Sequence, residues 1–151
     1  METHVPHSAH TLGISNVYQP EVLSALYQTA TIKPSVVQNR FYPDTNWDAD
    51  IRAFCQEKGI VYQSFWTLTG NPQLLLSEPV EKVAEKVGVS VEVALYGLVL
   101  GLGEDMSVLN GTTNARRMEE DLKGLEKIRE WTAKSSKEWE EAVQDFKAMV
   151  G

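Results

Sequence analysis

A chain of 151 residues, 42% hydrophobic, 9% aromatic and 23% charged, has the size and composition of one core-forming domain and lies far from the disordered range. Its length leaves no room for a multidomain enzyme. Twenty-one acidic against fourteen basic residues give a net charge of −7, which repels a phosphate backbone and argues against a nucleic-acid partner.

The first residues, METHVPHSAH, have neither the basic n-region nor the apolar h-region of a secretory signal, and they read as a cut edge. His4, His7 and His10 have metal-like spacing there, but Pro6 disfavours a helix across them and no other ligand cluster is evident, so no metal is expected. From residue 12 onward, short β-branched runs alternate with longer helical patterns, the signature of βα units around a parallel sheet. Residues 12–16 form the first predicted strand. Pro20 then opens a helix with Val22, Leu23, Leu26 and Tyr27 at helical spacing, ended by Ile32-Lys33-Pro34. Residues 35–39 are the second strand, and a loop through residues 42–46 leads to a helix carrying Trp47, Ile51, Phe54 and Cys55, with Gly59 as its stop. Cys55 is the only cysteine, so no intramolecular disulfide and no cysteine-based metal cluster is possible; a reducing cytoplasm is the expected compartment, and the thiol itself reads as buried.

Residues 59–65 are the third strand, followed by a turn-rich loop at residues 67–72. Val80, Val83, Ala84 and Val87 mark a helix ending at Gly88, and Ser90 can cap another through Val93, Leu95, Leu98 and Leu102, closed by Gly103. The apolar stretch at residues 93–102 is too short to cross a bilayer and is hemmed by Glu92 and Glu104, so no membrane span is expected. Residues 107–112 are the fourth strand, and Asn114 caps a helix through Met118, Leu122 and Leu125. Trp139, Val143, Phe146 and Val150 give a final helix one apolar face.

Residues 12–18, Leu-Gly-Ile-Ser-Asn-Val-Tyr, closely resemble the G-[IV]-S-N segment of the aldo-keto reductase family. Residues 34–39, Pro-Ser-Val-Val-Gln-Asn, resemble the strand whose glutamine touches the cofactor, and residues 59–65, Gly-Ile-Val-Tyr-Gln-Ser-Phe, the strand ending in an aromatic residue. Residues 109–122, Leu-Asn-Gly-Thr-Thr-Asn-Ala-Arg-Arg-Met-Glu-Glu-Asp-Leu, are similar to the family's last strand and helix. Each match alone is weak; four in the same order make chance improbable. The resemblance implies an α/β fold, the C-terminal half of a (β/α)8 TIM barrel, with four parallel strands, flanking helices and a C-terminal helical tail. A complete barrel takes about 250 residues. Residues 1–151 then form a single partial domain: a stub of the preceding helix and loop at 1–11, four βα units at 12–122 and the helical tail at 123–151.

What the resemblance implies for function is a cofactor cradle. Ser15 and Asn16 match the pair that hydrogen-bonds the nicotinamide carboxamide, and Gln38 its second contact. Phe65 stands where a tyrosine usually stacks on the nicotinamide, so the ring contact is kept and the hydroxyl lost. Thr112 takes the hydroxyl-bearing position, Arg117 matches the arginine that reaches the 2′-phosphate and adenine, and Glu120 and Asp121 match the adenine contacts, with aspartate where asparagine is common. An arginine fork favours NADPH over NADH, although Gly111 replaces a lysine that many members carry, which weakens the preference and leaves NADH open. The family's catalytic tyrosine, lysine, aspartate and histidine have no counterpart here, so no catalytic residue is assigned.

Apart from the resemblance, each of these residues has a plainer reading. Ser15-Asn16 is an ordinary strand-end turn pair, Thr112 and Asn114 are helix caps, and Arg116-Arg117 is a solvated pair. Trp47, Trp66, Trp131 and Trp139 read as packing residues, with Trp66 placed to line a pocket mouth beside Phe65. The expected function is an NAD(P)H-dependent reduction of a small carbonyl substrate to an alcohol, with this chain a truncated product or an incomplete gene model that keeps the cradle and lacks the tetrad. The alternative is a non-catalytic half-barrel that forms a homodimer, pairs with a second half-barrel or binds a partner reductase. Either way, outer strands without neighbours and exposed apolar inward side chains are expected. The substrate and pathway are not written in the chain.

Overall fold

The β-branched runs pair as a parallel sheet because each is followed by a helix that carries the chain back to its starting end. The computed structural model describes residues 1–151. Strands β1 (Gly13–Ser15), β2 (Val36–Arg40), β3 (Val61–Phe65) and β4 (Met106–Val108) lie in the order β1-β2-β3-β4, all parallel. Helix α1 (Pro20–Thr29) links β1 to β2, α2 (Ala49–Lys58) links β2 to β3, and α3 (Pro72–Leu75), α4 (Glu78–Val87) and α5 (Val91–Leu100) fill the connection from β3 to β4. Helices α6 (Ala115–Lys134) and α7 (Ser136–Val150) follow; α6 continues unbroken past residue 122.

Strand alternation sorts the side chains between two environments. Val37, Asn39, Tyr62 and Ser64 are buried, whereas Gln38, Arg40, Gln63 and Phe65 are only half-buried. Most of the core lies behind the buried side, where α5 is enclosed over nearly its whole length from Val93 to Val99. Its neighbours approach closely at glycines: a Cβ added at Gly124 on α6 would meet Val93 Cγ1 at 2.7 Å, and one at Gly97 on α5 would meet Ile128 Cδ1 at 2.7 Å. The α5–α6 spacing therefore depends on missing side chains, and it fixes where α6 stands relative to the sheet.

Several expected ends shift. Strand β4 stops at Val108 rather than Thr112, because Asn110 Oδ1 accepts from the Thr112 amide at 2.8 Å and Thr112 Oγ1 from the Asn114 amide at 3.2 Å, turning the chain before it can pair further. Helix α5 ends on Gly101, not Gly103; α1 ends at Thr29, earlier than the Ile32-Lys33-Pro34 stop. Gly59 and Gly88 close α2 and α4 in the left-handed region as their spacing predicts, and the Ser90 and Asn114 side chains cap α5 and α6.

Trp47 is not on the α2 helix. Asn46, Trp47 and Asp48 have φ of 51°, 47° and 56°, a left-handed turn that tertiary hydrogen bonds hold against its local cost. Trp47 Nε1 donates to Asn71 Oδ1 at 2.8 Å, and Asp48 Oδ2 accepts from Asn39 Nδ2 at 2.7 Å and Tyr62 Oη at 2.9 Å. Arg52 closes the network, its Nε donating to the Trp47 carbonyl and its Nη2 to the carbonyls of Val150 and Gly151.

Burial raises the Asp48 pKa above its ordinary 3.8, opposed by the bonds from Asn39 and Tyr62 and by the charge of Arg52, and Oδ1 has no partner. A carboxyl raised on folding favours the native state below its unfolded pKa, and that contribution is lost as pH rises through the folded value. Asp48→Asn removes this titration. The wild-type chain should therefore gain stability relative to Asp48→Asn as pH falls from 7, with the gain complete below pH 3.8; urea midpoints of both proteins across that range check it. Parallel pH profiles would show that Asp48 does not ionise against a burial penalty.

Candidate cofactor cleft

In-register pairing places Ser15 beside Gln38, Gln38 beside Gln63, and Gln63 beside Ser107. The row is joined side to side. Ser15 Oγ donates to the Gln38 carbonyl at 2.8 Å, Gln38 Nε2 to Gln63 Oε1 at 2.5 Å, and Gln63 Nε2 to Ser107 Oγ at 3.2 Å. At one end Asn16 Nδ2 donates to Ser15 Oγ at 3.0 Å, and Tyr18 Oη donates to Asn16 Oδ1 at 2.9 Å. The open face of the sheet is thus crossed by a polar ladder and not by the apolar strip expected of it. Ser15, Gln38, Gln63 and Ser107 share one register level on the same face, flanked along the strands by Val36, Val61 and Phe65.

Above this row a cleft of about 1240 Å³ runs from the sheet to α6. It is lined by Ser15, Asn16, Gln38, Phe65, Thr112, Arg117, Glu120 and Asp121, so the structure brings every sequence-predicted contact to one cavity. Phe65 and Trp66 meet edge to face at 6.5 Å between centroids at its mouth. The first turn of α6 borders the far end, where Asn114 Oδ1 accepts from the amides of Arg116 and Arg117.

The charged groups here differ in how far they are already engaged. Arg116 Nε pairs with Glu120 Oε1 at 2.8 Å, and this contact raises the guanidinium pKa; Asn110 Nδ2 donates to Asp121 Oδ2 at 2.6 Å. Arg117 has no acidic partner. Nothing lies within 4 Å of a Cβ added at Gly111, the position that departs from the lysine of the resemblance. Sequence reasoning missed Thr67, Leu68 and Thr69 after β3, Tyr96 on α5 and Lys127 on α6, all of which line the cleft. Position after a strand end was the available signal for Thr67–Thr69, whereas Tyr96 and Lys127 enter only through helix packing. Burial pushes the Tyr96 hydroxyl up to about 12, helped by the charges of Asp121 and Glu92. Cys55 is buried away from the cleft and its thiol is pushed up to about 12, chiefly by burial, which leaves it a packing residue.

A nicotinamide carboxamide needs acceptors for its NH2 and a donor for its oxygen. Gln38 keeps its Oε1 free after donating through Nε2, Asn16 retains a second Nδ2 hydrogen, and the Ser15 hydroxyl has a lone pair beyond the one used by Asn16. The polar inventory at the sheet end therefore fits that group.

No protein-family model matches the chain. A D-galacturonate reductase from Hypocrea jecorina is 33% identical over 114 residues, 74% of this chain and 35% of the relative. A 7-acetyl-epi-neemfruitin B aldo-keto reductase from Melia azedarach is 31% identical over 119 residues, 74% of this chain and 36% of the relative. The aldose reductase of Giardia lamblia superposes with a TM-score of 0.64 at 25% identity, over 83% of this chain and 43% of that one. The chain is similar to aldo-keto reductases over 74% of its own length. It spans about a third of the length of these curated relatives and corresponds to the C-terminal half of the barrel. The aldose reductase of Schistosoma japonicum shares the fold at 18% identity, with a TM-score of 0.67 over 89% of this chain and 44% of that one. No helix of the chain is long and apolar enough to cross a membrane.

Proposed function

We propose that this chain supplies the nicotinamide-cofactor side of a carbonyl-reducing site, with NADPH as the favoured cofactor and NADH as a second. The observation that carries the reading is that residues far apart in sequence, from Ser15 to Asp121, line one cleft whose two ends suit the two ends of a dinucleotide. Ser15, Asn16 and Gln38 would hold the carboxamide, Phe65 would cover one nicotinamide face, and Thr112 and Arg117 would meet the adenosine-side phosphate. Glu120 and Asp121 would border the adenine, each keeping one oxygen beyond its present bond. When bound, such a cofactor supplies hydride to a carbonyl carbon. The residues of this chain orient it: the ladder through Gln63 and Ser107 fixes the Gln38 amide, so its oxygen is presented without a rotamer to freeze on binding.

No residue here is assigned as the proton donor; the catalytic tetrad would come from outside these residues. The two curated relatives are named for dissimilar compounds, so neither substrate is transferred. A second reading, a half-barrel that pairs with another half without turnover of its own, draws support from the outer strands β1 and β4, each of which is paired on one side only. The lone thiol of Cys55 suits a reducing compartment such as the cytoplasm.

Calorimetric titration with NADPH should give saturable binding, and Gln38→Leu should weaken it about tenfold with the circular dichroism unchanged. A folded chain that takes up neither NADPH nor NADH overturns the reading.

A further inference from the structure

Tyr96 on α5 lines the cleft although only 6% of it is exposed. The hydroxyls of Tyr18 and Tyr62 donate to Asn16 and Asp48, whereas that of Tyr96 has no hydrogen-bond partner. The side-chain atoms sealed from solvent without a partner are Arg40 Nε and Asp48 Oδ1, so the Tyr96 hydroxyl opens to the cleft. A polar group set into a nearly dry wall without a partner is costly unless a ligand satisfies it. Glu92 stands one turn before Tyr96 on α5, and α6 faces the same space with Arg117, Glu120 and Asp121. Burial, with the charges of Asp121 and Glu92, pushes the hydroxyl up to about 12, so at neutral pH it keeps its proton and donates. The carboxylates can only accept, and Glu120 and Asp121 each keep one oxygen beyond their bonds to Arg116 and Asn110. This end of the cleft therefore offers acceptors on α6 and a donor on α5. An adenine edge presents the reverse, an amino group that donates beside ring nitrogens that accept.

We propose that Tyr96 is a positioning residue for the base of the cofactor, its hydroxyl donating to ring nitrogen N1 of adenine while the amino group meets the carboxylates of Glu120 and Asp121. The proposal rests on the cofactor reading above. It adds a contact from a second helix, where the resemblance supplied none, and a preference among purines. Hypoxanthine carries a hydrogen on N1 and an oxygen in place of the amino group. The same walls would set that oxygen against carboxylates and take away the acceptor for the Tyr96 proton, and this cost supplies the discrimination.

The test titrates the full chain in a calorimeter with NADPH, with its hypoxanthine analogue deamino-NADPH, and with reduced nicotinamide mononucleotide, which lacks the adenosine half. The wild-type chain should bind NADPH about tenfold more tightly than deamino-NADPH. Tyr96→Phe, which keeps the buried ring, should weaken NADPH about fivefold and shrink that preference to about twofold. Its affinity for the mononucleotide should stay the same, a selectivity that a merely structural role would not produce. Tyr96→Met also fills the space without a donor and serves should the phenylalanine variant fail to fold. Unchanged NADPH affinity in the variant, an unchanged preference between the two bases, or equal losses for NADPH and the mononucleotide would overturn the proposal. Adenosine 2′-phosphate separates the two readings. Tyr96-dependent binding of it by a chain that takes up neither NADPH nor NADH sinks the cofactor reading alone, whereas normal NADPH binding indifferent to Tyr96 sinks only the base contact. A folded chain that binds none of these compounds overturns both.

Discussion

Arg52→Leu should lower the unfolding free energy by about 3 kcal/mol and loosen α7 before the rest of the chain. Arg52 is only 8% exposed, so solvent screens its contacts little. Burial lowers its pKa, opposed by the carboxylate of Asp48, yet at neutral pH it stays charged and donates to the carbonyls of Trp47, Val150 and Gly151. Leucine keeps some apolar contact with Phe41, whose ring centre lies 5.8 Å from the guanidinium carbon, but leaves three carbonyls without that donor and Asp48 without its nearby cation. The strained turn at Asn46–Asp48 loses one of its clamps in the same step. Urea denaturation measures the total, and amide exchange along α7 locates it. A variant with unchanged stability and unchanged α7 protection would mean that the Arg52 bonds only balance the desolvation they require.

The features legible in the sequence were those decided by local chemistry. Gly59 and Gly88 stop helices because each takes a positive φ there, and Ser90 and Asn114 start them because their oxygens reach the first free amides. The Asn46–Asp48 turn was hidden because its partners, Asn39, Tyr62 and Asn71, come from other elements. The end of β4 was misplaced because Thr and Val at residues 108–113 look strand-like, while the bonds of Asn110 and Thr112 that turn the chain depend on side-chain geometry. For the open face, the expectation of exposed apolar residues came from barrel interiors in general. The letters themselves, Ser15, Gln38, Gln63 and Ser107, already spelled a polar row once the register was known. Register is a long-range property, so the row was invisible until the strands were aligned. The cleft residues fared better because strand ends and the first turn of the last helix are fixed by chain order, whereas Tyr96 and Lys127 reach the cleft only through the tight α5–α6 contact at Gly97 and Gly124.

The contrast between neighbouring arginines leads to the second large effect. Arg117→Leu should reduce NADPH affinity about thirtyfold and change NADH affinity little, because the 2′-phosphate that distinguishes the two cofactors is what an unpaired guanidinium would hold. Arg116→Leu should cost far less, since Arg116 already spends its Nε on Glu120 at 2.8 Å and is not among the cleft-lining residues. Both arginines are exposed, so in the free chain neither substitution should disturb stability much. Gly111 leaves the site without a neighbouring lysine, so more of the discrimination falls on Arg117, with Lys127 the next cleft-lining cation lacking an acidic partner. Raising the salt concentration should therefore weaken NADPH binding to the wild-type chain more than binding to Arg117→Leu, and should narrow the gap between them. Titrations of the chain and both variants with each cofactor at two ionic strengths test all of this together. Equal losses for NADPH and NADH in Arg117→Leu would place the arginine on the adenine or the pyrophosphate and remove the basis for preferring NADPH.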